Sequence, residues 1–157
     1  MPNQKHDILA TVQNLLEVTL GEGATELTEE ENVLFLRLFP ALLANGNGHV
    51  YMEICIIDYS DELSVAQVYS TMIPKPGPHS DDLNGYLAEW NLHSAAGAYG
   101  LYGDQKQLYH KLNIALVNSE SVESRANALF AGICLAMDEM ARRLPEAFQI
   151  AFGDSTQ

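Results

Sequence analysis

Residues 97–144 write out a β-hairpin followed at once by one long helix, and no other stretch constrains the fold as much. Gly97-Ala98-Tyr99-Gly100-Leu101-Tyr102 and the run 107–117 are strand-like. Gly103-Asp104-Gln105-Lys106 between them carries the Gly and Asp that a tight reversal needs. In the second run Leu108, Leu112, Ile114 and Leu116 share one face, interrupted by His110, while Lys111 and Asn113 point the other way. Asn118-Ser119-Glu120-Ser121 then ends the strand with hydroxyls that cap a helix, and Glu120 and Glu123 suit the positive end of its dipole. The helix carries Val122, Ala126, Leu129, Phe130, Ile133, Met137 and Leu144 at core spacing, until Pro145 stops or kinks it. Residues 128–137 include no polar side chain, so either the sheet and another element cover both sides of this helix, or a second subunit covers one.

Upstream, Ile8, Val12, Leu15 and Leu16 lie on one face of a first amphipathic helix, with Gly21 as its stop. Residues 22–32 are acidic and read as a solvated connection. The run 33–39 reads as a strand with apolar side chains on both faces except at Arg37, which implies burial from both sides, and Pro40 ends it. Asn45-Gly46-Asn47-Gly48 turns the chain into a strand over 49–57, Asp58-Tyr59-Ser60-Asp61-Glu62 reverses it, and 63–73 is a third strand. The three predict an antiparallel meander. Pro74-Lys75-Pro76-Gly77-Pro78 then joins two sub-halves, 6–73 and 79–152, of a single domain spanning 1–157. After it Ser80 caps a helix that puts Leu83, Tyr86, Leu87 and Trp90 on one face.

Composition narrows what such a fold does. A chain of 157 residues buries a real core without metal or disulfides. It holds no uncharged run of about 20 residues that would span a bilayer, and Met1-Pro2-Asn3-Gln4-Lys5-His6 lacks the pattern of a secretory leader. Cys55 and Cys134 sit singly inside apolar runs, as buried thiols do in a reducing compartment, so the location expected is cytoplasmic. Twenty-one acids against eight bases give a formal charge of −13, which repels phosphate backbones and makes nucleic acid a poor partner. The five histidines show no metal-ligand spacing; Asp58, Asp61 and Glu62 belong to a reversal, and Asp81 and Asp82 to a helix start. No phosphate loop or nucleophile-presenting turn occurs, so no catalytic, cofactor-binding or metal-ligating residue is assigned, and no enzyme activity is expected.

What remains is surface. Tyr86, Trp90, Tyr99, Tyr102 and Tyr109 gather around the second helix and the last hairpin, as an interface for self-association or as ordinary core. Ile8, Val12, Leu15, Leu16, Phe35 and Phe39 are the candidates to hold a partner polypeptide, by groove packing or by strand addition at a sheet edge. A regulatory or small-ligand-sensing domain, with a pocket enclosed by sheet and helices, is the alternative.

The order helix, three strands, helix, two strands, helix resembles the type III secretion chaperone-like fold, and within it the YbjN-type bacterial proteins. The residues that carry the likeness are Leu87-Ala88-Glu89-Trp90-Asn91, entering Ala98-Tyr99-Gly100-Leu101-Tyr102, then the strand 108–116 and the helix through Leu129, Ile133 and Met137. The resemblance implies an α+β domain with a five-stranded antiparallel sheet in the order α-β-β-β-α-β-β-α, with helices packed on it. It also implies a homodimer that binds a protein or peptide and has no catalytic residues. The acidic stretch 22–32 and the turn 40–48 have no counterpart in that pattern.

Overall fold

Glu31 and Asn32 both sit at positive φ, 52° and 67°, the geometry of a two-residue turn that matches the twist of the strands it joins. The turn folds β1 (Thr25–Glu30) back onto β2 (Val33–Leu38), pairing Thr25 with Leu38 at one end and Glu30 with Val33 at the other. The acidic stretch read as a solvated connection is therefore largely a strand, and the sheet has six strands rather than five. Leu27 is its one aliphatic side chain. An edge strand needs no more, and its glutamates keep the outer edge from pairing with other chains.

A computed structural model describes residues 4–153. Met1, Pro2 and Asn3, part of the segment read as lacking a leader, lie outside them. The remaining elements are α1 (Gln4–Leu20), β3 (Tyr51–Asp58), β4 (Leu63–Ile73), α2 (Ser80–Asn84), α3 (Leu87–Leu92), β5 (Ala98–Tyr102), β6 (Gln107–Val117) and α4 (Val122–Phe152). All strands are antiparallel, in the order β1-β2-β3-β4-β6-β5. The pairing of β4 with β6 runs the length of both and carries the sheet across the proline-rich joint, which itself includes the start of a 3-10 turn (Gly77–His79).

The single helix expected after Ser80 is two short ones, broken at Gly85 and Tyr86. Leu83 and Trp90 are still buried, whereas Tyr86 is turned outward. Ser121 caps α4 as expected, its Oγ accepting the Ser124 N–H at 3.0 Å, an interaction worth about 1 kcal/mol. Pro145 does not stop this helix. The turn beyond it buries Ala147, Phe148 and Ala151, which offsets the lost backbone bond, and Gly153 closes the helix in the left-handed conformation.

α1 and α4 lie together on one face of the sheet. Ile8, Leu9, Val12 and Leu16 from the first, and Leu129, Ile133, Ala136, Met140 and Leu144 from the second, form one core with Leu36, Met52, Ile54, Ala66, Val68, Leu108 and Leu116. Each large aliphatic side chain buried there contributes about 1.5–3 kcal/mol. The outer side of the uncharged stretch 128–137 is open, with Ala128, Ala131 and Leu135 exposed.

Candidate functional site

Alternation along β4 separates two faces. Ser64, Ala66, Val68, Ser70 and Met72 are buried beneath the helices, while Leu63, Val65, Gln67, Tyr69 and Thr71 are half-buried on the side that, among the described residues, no helix covers. Strand register extends this open face in both directions. Ile57 and Ala115 flank Val65, Cys55 and Asn113 flank Gln67, Glu53 and Lys111 flank Tyr69, and Tyr51 and Tyr109 flank Thr71. One end of the face is apolar, with Val33, Ile57 (48% exposed) and Val117 open to solvent; the other is rich in tyrosine, with Tyr51 and Tyr102 (68%) exposed.

Polar contacts order the tyrosine end. Tyr69 and Tyr109 stack with ring centroids 5.3 Å apart, and Gln107 Nε2 donates to Tyr69 OH at 3.1 Å and to Thr71 Oγ1 at 3.0 Å. Glu53 Oε2 accepts from Arg37 Nε at 2.7 Å and from Tyr51 OH at 3.3 Å. Arg37 also pairs with Glu30, so this one guanidinium ties β1, β2 and β3 together across their outer surface. Burial raises the pKa of the Tyr69 hydroxyl above its ordinary value. Burial raises the Cys55 thiol likewise, so it stays protonated and weakly reactive.

A second polar cluster lies inside the molecule. The Glu139 carboxylate, 0% exposed, accepts from Tyr99 OH at 2.6 Å and from the Ala95 backbone N–H at 3.0 Å, and pairs with Arg142 and Arg143. Desolvation pushes its pKa up, but those hydrogen bonds and the two guanidiniums outweigh burial and hold the carboxyl below its ordinary value. Trp90 Nε1 donates to Glu146 at 2.7 Å. Asn91 bonds both backbone groups of Tyr99, at 2.6 and 3.1 Å, and so seals the outer edge of β5 there against strand addition. The cluster fastens α3 and β5 to α4.

No family model matches this chain, and no curated protein matches it significantly. Among the described residues, no group of three or more His, Cys, Asp or Glu side chains is placed to hold a metal ion, and no helix is long and apolar enough to cross a membrane.

The structure divides the residues selected from sequence. Ile8, Val12 and Leu16 are buried, packed between the sheet and α4, so they are closed to a partner; Leu15 is half-buried. β2 is covered on one side only, which leaves Phe35 half-buried on the open face under the Arg37 guanidinium, and Phe39 61% exposed and stacked on His49. Trp90 and Tyr99 are core residues whose polar tips are satisfied internally, so they leave the set of interface candidates. Tyr86 is exposed, and Tyr102 and Tyr109 lie on the open face. Sequence reasoning missed Tyr51, Glu53, Tyr69 and Lys111. Their signal is the period-two alternation within residues 49–57 and 63–73.

Ser70 and His110, directly opposed on β4 and β6, are fully buried on the helix side, and Ser70 Oγ and His110 Nδ1 have no hydrogen-bond partner among the described residues. A buried hydroxyl without a partner costs about 1–3 kcal/mol. Ser70→Ala is therefore expected to raise stability by about 1 kcal/mol, read as a higher urea midpoint at unchanged slope.

Proposed function

We propose that this chain is a non-catalytic protein-recognition domain of the type III secretion chaperone-like kind, working in the bacterial cytoplasm as a homodimer that holds a polypeptide partner. One observation carries the reading: both long helices lie on one face of the sheet, and the other face presents Val33, Tyr51, Ile57, Tyr102 and Val117 to solvent. An uncovered sheet face with an apolar end and an aromatic end of this kind marks an interaction site. The free thiols Cys55 and Cys134 suit a reducing compartment. For the partner polypeptide, the reading favours a cleft of about 560 Å³ at the end of the sheet, between His49, Ile73 and Pro74 on one side and Phe148 and Phe152 on the other. Phe39 stands beside it, stacked on His49.

Photocrosslinking in cells tests this. A photoreactive side chain placed at Ile57 or at Phe152 is expected to give polypeptide adducts, and one at exposed Glu123 is expected to give none. No adduct from either position would sink the reading. A small-ligand sensor is the second reading, favoured by the concavity of about 690 Å³ among Tyr51, Tyr69, Tyr102, Tyr109 and Gln107. A large thermal shift with a metabolite, in protein that gives no adduct, would put that reading in its place.

A further inference from the structure

The rows that cross the open face are matched about β4. To one side of this strand lie Ile57, Cys55, Glu53 and Tyr51; to the other, in the same rows, lie Ala115, Asn113, Lys111 and Tyr109. In three of the four rows aliphatic thus stands across from aliphatic, acid from base, and tyrosine from tyrosine. A two-fold axis that relates two facing sheets lies in the plane between them. Run along β4, it carries each flank of one copy onto the opposite flank of the other.

We propose that the open face is covered by a second copy of this chain, related by a two-fold axis along β4, with Glu53 set against the partner's Lys111 and Lys111 against the partner's Glu53. The inference rests on reading the open face as a protein-recognition surface, and names its occupant. Charge favours this occupant. The chain carries −13, yet on the outward positions of β2, β3, β4, β6 and β5, the strands that this axis overlaps, the acids are represented by Glu53 alone, beside the bases Arg37 and Lys111; Glu26 and Glu30 face the same way on β1, outside the overlap. Two copies therefore approach here without the acid-to-acid repulsion that separates them elsewhere. Both groups of the proposed pair have capacity left. Lys111 has no ion pair among the described residues, and Glu53 takes Arg37 and Tyr51 on Oε2, with no partner for Oε1 among them.

The area is sufficient. With the axis on β4, β3 lies over the partner's β6 and β2 over its β5, while β1 overhangs. The five overlapping strands, about 4.8 Å apart and about eight residues long, give a flat footprint near roughly 630 Å², and side-chain relief brings this toward the roughly 800 Å² per partner of a stable pair. Sheets packed face to face keep their strands within about 30° of each other, so the rows nearest β4 stay opposed.

Charge reversal tests the pairing. At micromolar concentration, sedimentation equilibrium is expected to give twice the chain mass for the native protein. For Lys111→Glu and for Glu53→Lys alone it is expected to give the monomer mass, because each reversal sets two like-charge pairs against each other and weakens association by about tenfold or more. Mixing the two variants in equal amounts restores a dimer, since Glu53 of one then faces Lys111 of the other and the two introduced charges face each other with opposite sign. That restoration also separates loss of association from loss of folding. Native protein that is monomeric, Lys111→Glu that dimerises like the native chain, or a mixture that stays monomeric would each overturn the proposal. If such protein still gives adducts with a different polypeptide from position 57 or position 152, the recognition reading survives and this inference alone fails; if neither position gives one, both fail.

Discussion

Glu139→Ala is expected to lower the melting temperature by about 6–20 °C. The carboxylate is wholly buried, and its removal takes the partner from the Ala95 N–H and the Arg143 guanidinium and leaves Tyr99 OH only the Glu139 backbone carbonyl at 3.2 Å. Breaking one side of a buried ionic cluster costs about 3–5 kcal/mol, and each kcal/mol moves the midpoint of a chain of this length by about 2–4 °C. Arg142 adds little to that sum, because its side chain is largely in solvent and its pairing is screened. Glu139→Gln keeps hydrogen-bonding atoms in place and is expected to lose roughly half as much.

The same substitution changes the response to acid. Glu139 titrates below its ordinary value when folded, so its contribution is complete above the unfolded carboxylate pKa and is lost as pH falls through the lower folded one. His110 acts in the same direction. Burial lowers its pKa, against smaller opposing contributions from the Ala96 carbonyl and Glu139, so the folded state favours the neutral ring and loses stability as pH falls below the ordinary imidazole range. Native protein should thus weaken in two stages on acidification. Thermal melts from pH 8 to pH 3 should show Glu139→Gln with the first stage kept and the second flattened; an unchanged second stage would mean that Glu139 does not carry it.

Gly97→Ala is the other large effect, with an expected loss of about 3 kcal/mol or more. Gly97 has φ of +73°, a conformation that costs an L side chain about 1–2 kcal/mol. A Cβ there would also lie 2.5 Å from the Lys111 carbonyl oxygen and 2.8 Å from His110 Nε2. That oxygen belongs to the ladder of β6 with β5 and has no freedom to retreat. Gly103, with φ of +78° and open space around it, is the control: alanine there should cost only the backbone part, about 1–2 kcal/mol. Equal losses at the two positions, measured by urea denaturation, would refute the close approach at Gly97.

Much of the molecule is legible from residue order. The hairpin over 98–117, the Ser121 cap, the inward stripe of α1 and the meander of β2, β3 and β4 all follow from spacing and turn chemistry, because each is decided by neighbours within a few positions. β1 is not legible in this way. Its glutamates and single leucine have weak strand preference, and it is held by pairing with β2 and by Arg37 reaching Glu30. Trp90 and Tyr99 show the same limit from the other side: an aromatic spacing does not say whether a ring turns inward until Glu146 and Glu139 arrive, 56 and 40 positions along the chain, to satisfy its polar tip.

The amino-acid order alone determined where the first helix, the start of the last and every strand but β1 lie, which residues share a face within them, and that the chain carries a large acidic excess. Only the tertiary structure decided which of two faces is covered. β3 and β4 present apolar side chains on both sides, so their local pattern reads the same from either. The asymmetry arises when α1 and α4, far apart in sequence, dock on one side and leave Val65, Tyr69 and their neighbours on the other for something else to meet.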